Sequence, residues 1–146
     1  MKLVMYSTGL LVGLLFVACS TEPVPIRFGT DACHYCKMTI VDRHFGAELV
    51  TRKGKVYKFD DIKCMLNYYK SGHEPTSEFQ HKLVIDYSRP GRLVTAESAI
   101  YLTSQEINSP MNGQVAAFNS VSAKEDMKKT WNAVDLTWNS IISRDE

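Results

Sequence analysis

Two short segments of the chain resemble each other, and this repetition restricts the fold more than any other feature of the sequence. Residues 55–60 read Lys-Val-Tyr-Lys-Phe-Asp, and residues 114–119 read Gln-Val-Ala-Ala-Phe-Asn. Each segment has the pattern of a short β-strand that passes directly into the start of a helix. We therefore predict a degenerate internal repeat of about 60 residues.

The first copy has the pattern of a hairpin followed by a helix and a third strand. Asp60 and Asp61 stand where a helix N-cap and a negative first turn are expected, and Ser71-Gly72 is typical of a helix end. This interpretation assigns the two carboxylates to helix capping rather than to acid–base catalysis. The predicted elements are strands at residues 45–51, 56–59 and 81–87 and a helix at residues 62–70.

The second copy shows the same order less clearly. Residues 99–102 and 115–118 are predicted strands, and the Ser-Ala-Lys-Glu at residues 122–125 is a capping-box pattern that opens a second helix. From residue 134 onward, the apolar residues fit a strand and a helix equally well. The two halves, at about residues 31–90 and 91–146, predict an α+β fold made of one compact unit of two degenerate ββαβ repeats.

The first 18 residues, one cation followed by an apolar run, are typical of a signal peptide. The run is shorter than the roughly 20 apolar residues that a permanent membrane helix needs. Its end resembles a bacterial lipobox, although Phe16 stands where leucine is usual, so we predict cleavage and lipidation at Cys19. Cleavage without lipidation is the alternative. Residues 19–30 contain two prolines and no apolar periodicity, which predicts a tether.

Removing 18 residues from the 146 leaves 128, enough for one domain, which we place at residues 31–146. A lipid anchor predicts a place in the bacterial cell envelope, facing the periplasm or the outside, with membrane contact through the lipid. The leader takes one of the 17 Lys and Arg residues, and the rest balance 16 Asp and Glu. A near-neutral chain argues against nucleic acid as a partner, since binding it needs a clustered basic excess.

The number of cysteines excludes a disulfide scaffold. With Cys19 lipidated, Cys33, Cys36 and Cys64 remain, so at least one thiol has no partner within the chain. In an exported protein a leftover thiol indicates metal binding, redox chemistry or an intermolecular bridge. Cys64 lies beside the apolar stripe of the predicted first helix, which favours a buried thiol there.

The densest group of soft metal donors is Cys-His-Tyr-Cys-Lys-Met at residues 33–38. Thiolate and thioether sulfur are polarisable and favour Cu(I) over oxygen-seeking ions. On an extended segment Cys36 and Met38 project from the same face and can bind one ion. A second thioether would make the site exchangeable, because a thioether binds without losing a proton. Met111, beside proline in a predicted loop, is the candidate.

Two other interpretations of the C-x-x-C pair stay open. A thiol–disulfide oxidoreductase would place the pair at a helix N-terminus, whereas β-branched residues follow it here. A zinc-stabilised structural module would need four ligands. Beyond the thiols and His34, the chain offers only the scattered imidazoles of His44, His73 and His81.

Three motifs, in this order, resemble the NosL family, the lipoprotein accessory factors of nitrous-oxide reductase. They are His34-x-Cys36-x-Met38, the strand-to-helix passage at residues 59–65, and Ser109-Pro110-Met111 before residues 116–118. The likeness covers nearly the whole mature chain. It implies a fold of two ββαβ units and a non-enzymatic Cu(I)-binding chaperone on the extracytoplasmic side of a bacterial membrane. Its implied partners are nitrous-oxide reductase and the copper-maturation machinery of that enzyme.

The ligands that the resemblance carries over are Cys36, Met38 and Met111, with His34 and Cys33 as further candidate donors. It implies no catalytic residue. The chain departs from the family pattern at Lys37, because many relatives have glycine between the second cysteine and the methionine.

Overall fold

The computed structural model of the chain describes residues 21–144. The predicted signal peptide at residues 1–18 and the predicted lipidation site Cys19 lie outside these residues. Among the described residues, no helix is both long and apolar enough to cross a membrane. In chain order the elements are β1 (Ala47–Thr51), β2 (Val56–Phe59), α1 (Ile62–Lys70), a 3-10 turn (Thr76–Glu78), β3 (Phe79–Ile85), β4 (Leu93–Thr95), β5 (Ile100–Thr103), β6 (Val115–Phe118), α2 (Val121–Thr130), β7 (Val134–Leu136) and α3 (Trp138–Ile142).

The strands form two antiparallel sheets with the same internal order. The first sheet runs β2-β1-β3-β4 and the second runs β6-β5-β7, and in both a helix connects the edge strand to the strand on the far side of the centre. The repeated segments coincide with β2 and β6, and each is followed by a helix N-cap, Asp61 in one half and Ser120 in the other. The predicted α+β fold of two ββαβ repeats is confirmed.

Several element boundaries differ from the predictions. The third strand begins at Phe79, two residues earlier than predicted, and β4 was not predicted. The predicted capping box at residues 122–125 is wrong, because Ser120 is the N-cap and accepts a hydrogen bond from the Ala123 N–H. The tail contains both structures that its pattern allowed, first β7 and then α3.

The two sheets share one core. Asp86, just after β3, pairs in parallel with Ala117 of β6, and the Tyr87 N–H donates to the Ala117 carbonyl at 2.8 Å. A buried apolar cluster contains Phe59 and Met65 from the first half together with Tyr101 from the second. The halves therefore fold as one unit.

A segment before the first sheet covers the second face of β1. All five residues of β1 are buried, including Glu48, which is 0% exposed. The Glu48 carboxylate accepts the Val24 N–H at 2.9 Å, and Ile26 packs into the core. Part of the segment 19–30, which we predicted to be a tether, is thus packed on the sheet; a tether before Val24 stays a prediction.

Asp31 fixes this segment to the edge of the first sheet. Its carboxylate accepts hydrogen bonds from the Arg27 N–H and guanidinium and from the Lys58 ammonium, which lies 2.7 Å away. Burial opposes ionisation, but the hydrogen bonds from Lys58 and Arg27 outweigh it and lower the pKa of Asp31 to about 2.

We expect Asp31→Asn to reduce the acid sensitivity of the fold. Since the pKa of Asp31 is about 2 in the folded chain and 3.8 ordinarily, the ionised carboxylate stabilises the fold above pH 3.8. That contribution disappears as the pH falls towards 2. The free energy of unfolding, measured with urea from about pH 5 to about pH 2, should therefore fall by about 1 kcal/mol less in the variant than in the parent.

The exposed residue Asp126 offers a matched control, because Asp126→Asn should follow the pH dependence of the parent. Equal acid sensitivity of Asp31→Asn and the parent would contradict this role of Asp31.

Candidate metal centre

The cysteine pair lies in a small hairpin at residues 31–40 that docks on the free edge of β2. Ala32 pairs with Thr39, and the Cys33 N–H donates to the Met38 carbonyl at 2.7 Å. The His34 N–H donates to the carbonyl of Lys58 in β2, also at 2.7 Å. The hairpin therefore extends the first sheet and carries its turn to the start of α1.

The prediction that Cys36 and Met38 project from one face of an extended segment is wrong. Residues 34–36 form a turn, closed by a hydrogen bond of 3.0 Å from the Lys37 N–H to the Cys33 carbonyl. Lys37 has a φ of 67°, in the left-handed region that favours glycine. The chain must reverse here because Ala32 and Thr39 are paired.

Four donor side chains converge where this turn meets α1. The sulfur atoms of Cys33, Cys36 and Cys64 and a carboxylate oxygen of Asp60 all lie within 4.8 Å of one another. Cys33 is 0% exposed and Cys64 1%, whereas Cys36 is partly exposed. Between residues 21 and 144, this is the one group of three or more His, Cys, Asp or Glu side chains close enough to hold a metal ion. We call it the thiol cluster.

Asp60 belongs to the thiol cluster rather than to the helix. Asp61 caps α1 by accepting the Lys63 N–H at 2.9 Å, so half of the capping prediction is correct. Asp60 precedes the cap, and its Oδ2 accepts a hydrogen bond from the Cys36 thiol at 3.3 Å. Its Oδ1 is buried and has no hydrogen-bond partner among the described residues. The negative first turn that was predicted from the Asp60-Asp61 pair is wrong, because the first turn of α1 contains no acidic residue.

The three thiols of the cluster differ in acidity. A hydrogen bond from the Cys64 thiol and backbone N–H donors of Asp60 and Cys36 lower the pKa of Cys33 to about 6, although burial opposes them. Burial raises the pKa of Cys36 to about 11. The pKa of Cys64 also rises, because its proton bridges to Cys33. The deepest thiol is therefore the first to ionise.

The loop before β6 is fastened to the same helix end. Asp61 Oδ2 accepts hydrogen bonds from the Ser109 hydroxyl at 2.6 Å and from the Met111 N–H at 2.9 Å. A Cβ at Gly113 would lie 2.6 Å from the Asp61 carboxylate, so this close approach requires glycine. Met111 is half-buried against the core cluster that includes Cys33 and Cys64.

The structure places the other predicted ligands at different depths. The Met38 side chain is 58% exposed. Its backbone carbonyl accepts a hydrogen bond from the N–H of Cys33, a residue of the thiol cluster. The His34 ring packs edge-on against Tyr57 and Tyr68, at 4.6 and 5.0 Å between centroids, and burial lowers its pKa. His34 is not part of the thiol cluster. The assignment of Cys36, Met38 and Met111 as the copper ligands stays a prediction.

Sequence reasoning missed the part that Asp60 plays. One signal was present, since Asp60 stands four residues before Cys64. The imidazoles weighed for zinc lie elsewhere: His44 contacts Asp42, and His73 stacks on Tyr68.

Comparisons with known proteins identify the family and the fold of the chain. A family model described as NosL matches residues 23–131. The crystal structure of the copper chaperone NosL from Shewanella denitrificans matches with a TM-score of 0.71 and 18% sequence identity, covering 85% of this chain and 98% of that one. At that identity the likeness shows a shared fold. A comparison with curated proteins found no match.

We expect the metal-free, reduced chain to form one thiolate with a midpoint near pH 6, measured by ultraviolet thiolate absorbance. Cys64→Ala should move this midpoint upward towards the ordinary value, because it removes the donor that stabilises the Cys33 thiolate. Cys36→Ala keeps its backbone N–H and should leave the midpoint near 6, which makes it the control. If the midpoint near pH 6 were still present in Cys33→Ser, the assignment of the first ionisation to Cys33 would be wrong.

At Lys37 we expect glycine to be more stable than alanine by about 1 kcal/mol, because left-handed backbone strains a residue with a Cβ. Lys37→Gly and Lys37→Ala both lose the hydrogen bond from the ammonium to the His34 carbonyl, so their difference isolates the backbone. The same pair at Lys53, where φ is not positive, should show the reverse order by about 0.5–1 kcal/mol. Denaturant unfolding measures both pairs, and the same order at the two positions would contradict the strain.

Proposed function

Because the chain belongs to the NosL family, we propose that it is a Cu(I) chaperone, anchored by lipid in the bacterial cell envelope, that supplies copper for the maturation of nitrous-oxide reductase. Cys36, Met38 and Met111 hold the ion in its exchangeable position. The chain performs no catalytic step. Recipient, anchor and ligand set are proposals that rest on the family and on the site.

One observation supports this function most strongly. The Cys36 thiol, the one partly exposed thiol of the cluster, lies at the point where both methionine-bearing segments are fastened. Asp60 holds Cys36, and the adjacent Asp61 holds the backbone of Met111. Met38 follows Cys36 by two residues on the exposed side of the hairpin. Thiolate and thioether sulfur are the soft donors that suit Cu(I).

The ligand types suit uptake and release. Cys36 must lose its proton to bind, and its raised pKa makes that step costly, so copper binding releases a proton at neutral pH. Thioether sulfur has no proton to lose and binds more weakly than thiolate. With Met38 exposed, a recipient's ligands can replace the thioethers one at a time while Cys36 still holds the ion.

The same acidity pattern opposes the oxidoreductase alternative. In such enzymes an accessible cysteine with a lowered pKa attacks the partner's disulfide. Here the thiol with the lowered pKa, Cys33, is fully buried, and the accessible Cys36 has a raised pKa.

The anchor we propose is Cys19, and the copper-binding domain is residues 31–146. Ile26 is already packed in the core. The seven Cα–Cα steps from Cys19 to Ile26 span at most about 25 Å when the chain is extended. The anchor therefore keeps the domain, and with it the thiol cluster, within a short distance of the membrane surface.

We expect Met38→Leu and Met111→Leu each to slow Cu(I) transfer from the loaded chain about tenfold, because leucine keeps the bulk and removes the sulfur. Stopped-flow mixing with a chromophoric Cu(I) chelator under anaerobic conditions measures the rate. Met127→Leu, in the smaller apolar cluster around Phe118, is the matched control and should transfer at the parent rate. Cys36→Ser should abolish delivery.

The recipient is tested with copper-free nitrous-oxide reductase in place of the chelator. Activity should appear with the loaded parent and stay near background with loaded Cys36→Ser. If both methionine variants transfer copper at the parent rate, the exchangeable position is assigned wrongly. If the parent binds no Cu(I), the proposed function is wrong.

A further inference from the structure

We propose that Cys33, Cys36 and Cys64 form an inner, all-thiolate Cu(I) site beneath the exchangeable position, with Cys36 common to both. The inference rests on the proposed copper function and adds a second position for the ion. It gives the two buried cysteines a role, retention of the metal, that neither packing nor capping explains.

The distances fit one ion. Metal–sulfur bonds are about 2.3 Å long, so two sulfur atoms on the same ion lie at most about 4.6 Å apart. The four donor atoms of the thiol cluster lie within 4.8 Å of one another. A small movement of the three sulfur atoms brings them onto a common centre.

Two segments that are far apart in sequence, the hairpin at residues 31–40 and helix α1, hold these sulfur atoms. Cys33 is fixed by the hairpin bond to Met38, Cys36 by the thiol bond to Asp60, and Cys64 by the first turn of α1. Cys33 and Cys64 are buried, so water has little access to the inner position. An enclosed group of thiolates retains Cu(I) and excludes competing ligands.

The surrounding backbone compensates the negative charge of the site. Three thiolates with one Cu(I) carry a net charge of −2, or −3 with the neighbouring carboxylate of Asp60 counted, and they lie close to the N-terminus of α1, where the helix dipole favours anions. Backbone N–H groups of Asp60 and Cys36 already point at the Cys33 sulfur. On binding, every thiol that still carries a proton releases it to water as its Cu–S bond forms, and no electrons are exchanged.

Asp60 marks the inner position as a place for a cation. Its buried Oδ1 has no hydrogen-bond partner among the described residues, which is costly unless a positive charge is near. The carboxylate is within reach of the same centre as the sulfur atoms. We assign it the role of an electrostatic neighbour rather than a ligand, because soft Cu(I) prefers sulfur to oxygen.

Because both positions share Cys36, the inner position can retain the ion and the outer position can release it. An ion held by three thiolates moves outward by exchanging Cys33 and Cys64 for the thioethers of Met38 and Met111, while its bond to Cys36 is kept. The buried thiols then set the equilibrium affinity, and the methionines set the rate of release.

The test is an anaerobic competition titration of the full chain in detergent with chromophoric Cu(I) chelators. Cys33→Ser and Cys64→Ser should each lower the affinity for Cu(I) about 100-fold. Met127→Leu, which lies in the other apolar cluster and in neither copper position, is the control and should change the affinity less than about threefold. Thermal melting of each metal-free variant separates a lost ligand from a lost fold.

X-ray absorption at the copper edge of the loaded parent needs no variant. We expect three sulfur neighbours at about 2.3 Å and no oxygen or nitrogen neighbour, with the same count in Met38→Leu. An oxygen neighbour that disappears in Asp60→Asn would make the carboxylate a ligand and overturn the all-thiolate site. Preference for Zn(II) over Cu(I) in the same titration would overturn it too.

Failure of this inference differs from failure of the proposed function. If Cys33→Ser and Cys64→Ser bind Cu(I) like the parent while the methionine variants bind weakly, the inner site is wrong and the chaperone proposal stands. If the parent takes up no Cu(I) at all, the chaperone proposal fails and the inner site fails with it.

Discussion

The turn from β2 into α1 holds both halves of the candidate metal centre together. Asp60 receives the Cys36 thiol, and the next residue, Asp61, receives Ser109 and the Met111 backbone while it caps the helix. Strand pairing fixes the backbone on one side of these two carboxylates, and helical hydrogen bonds fix it on the other. Two loops that are distant in sequence thus take their positions from one rigid point.

The second repeat has the same turn from strand to helix, but this turn lacks the carboxylates and the cysteine of the first. Asn119 and Ser120 follow β6 as Asp60 and Asp61 follow β2, and Ser120 caps α2. The position that corresponds to Cys64 is Ala123. The candidate metal centre is therefore built on one copy of the repeat, and the other copy contributes the loop that carries Met111 between β5 and β6.

The sequence predicted what local patterns determine. Strands β2 and β6 and helix α1 appear where expected, because their apolar periodicity and N-cap signals are contained within about ten residues. The first residue of α2 was misplaced because two serines, two positions apart, both fit a cap. The extended form predicted for Cys36 and Met38 failed because a long-range constraint, the pairing that closes the hairpin, turns the chain there.

Asp60 shows the same limit at the site itself. Its partner Cys36 lies 24 residues away, and the two meet only because the hairpin docks on the edge of β2. No rule of periodicity or residue spacing predicts that the hairpin docks there. Cys64 was correctly predicted to be buried, since the apolar stripe of α1 is local, but the neighbours that give its thiol chemistry come from two other elements.

The hydrogen bonds of the thiol cluster hold its sulfur atoms in position, and this would let the proposed carrier keep its site in order through loading and release. Burying an anion is costly, and the N–H groups that point at Cys33, together with the Cys64 thiol, repay that cost within the protein. The sulfur positions therefore depend on protein contacts, and little conformational entropy has to be lost when an ion binds. A second consequence concerns charge. An anionic Cys33 close to the Asp60 carboxylate creates a negative potential in a region of low dielectric constant, which attracts a cation more strongly than the same groups would in water. In the copper site that we propose, affinity would then reside in the buried and preorganised part of the centre, and the thioethers of Met38 and Met111 would be free to exchange.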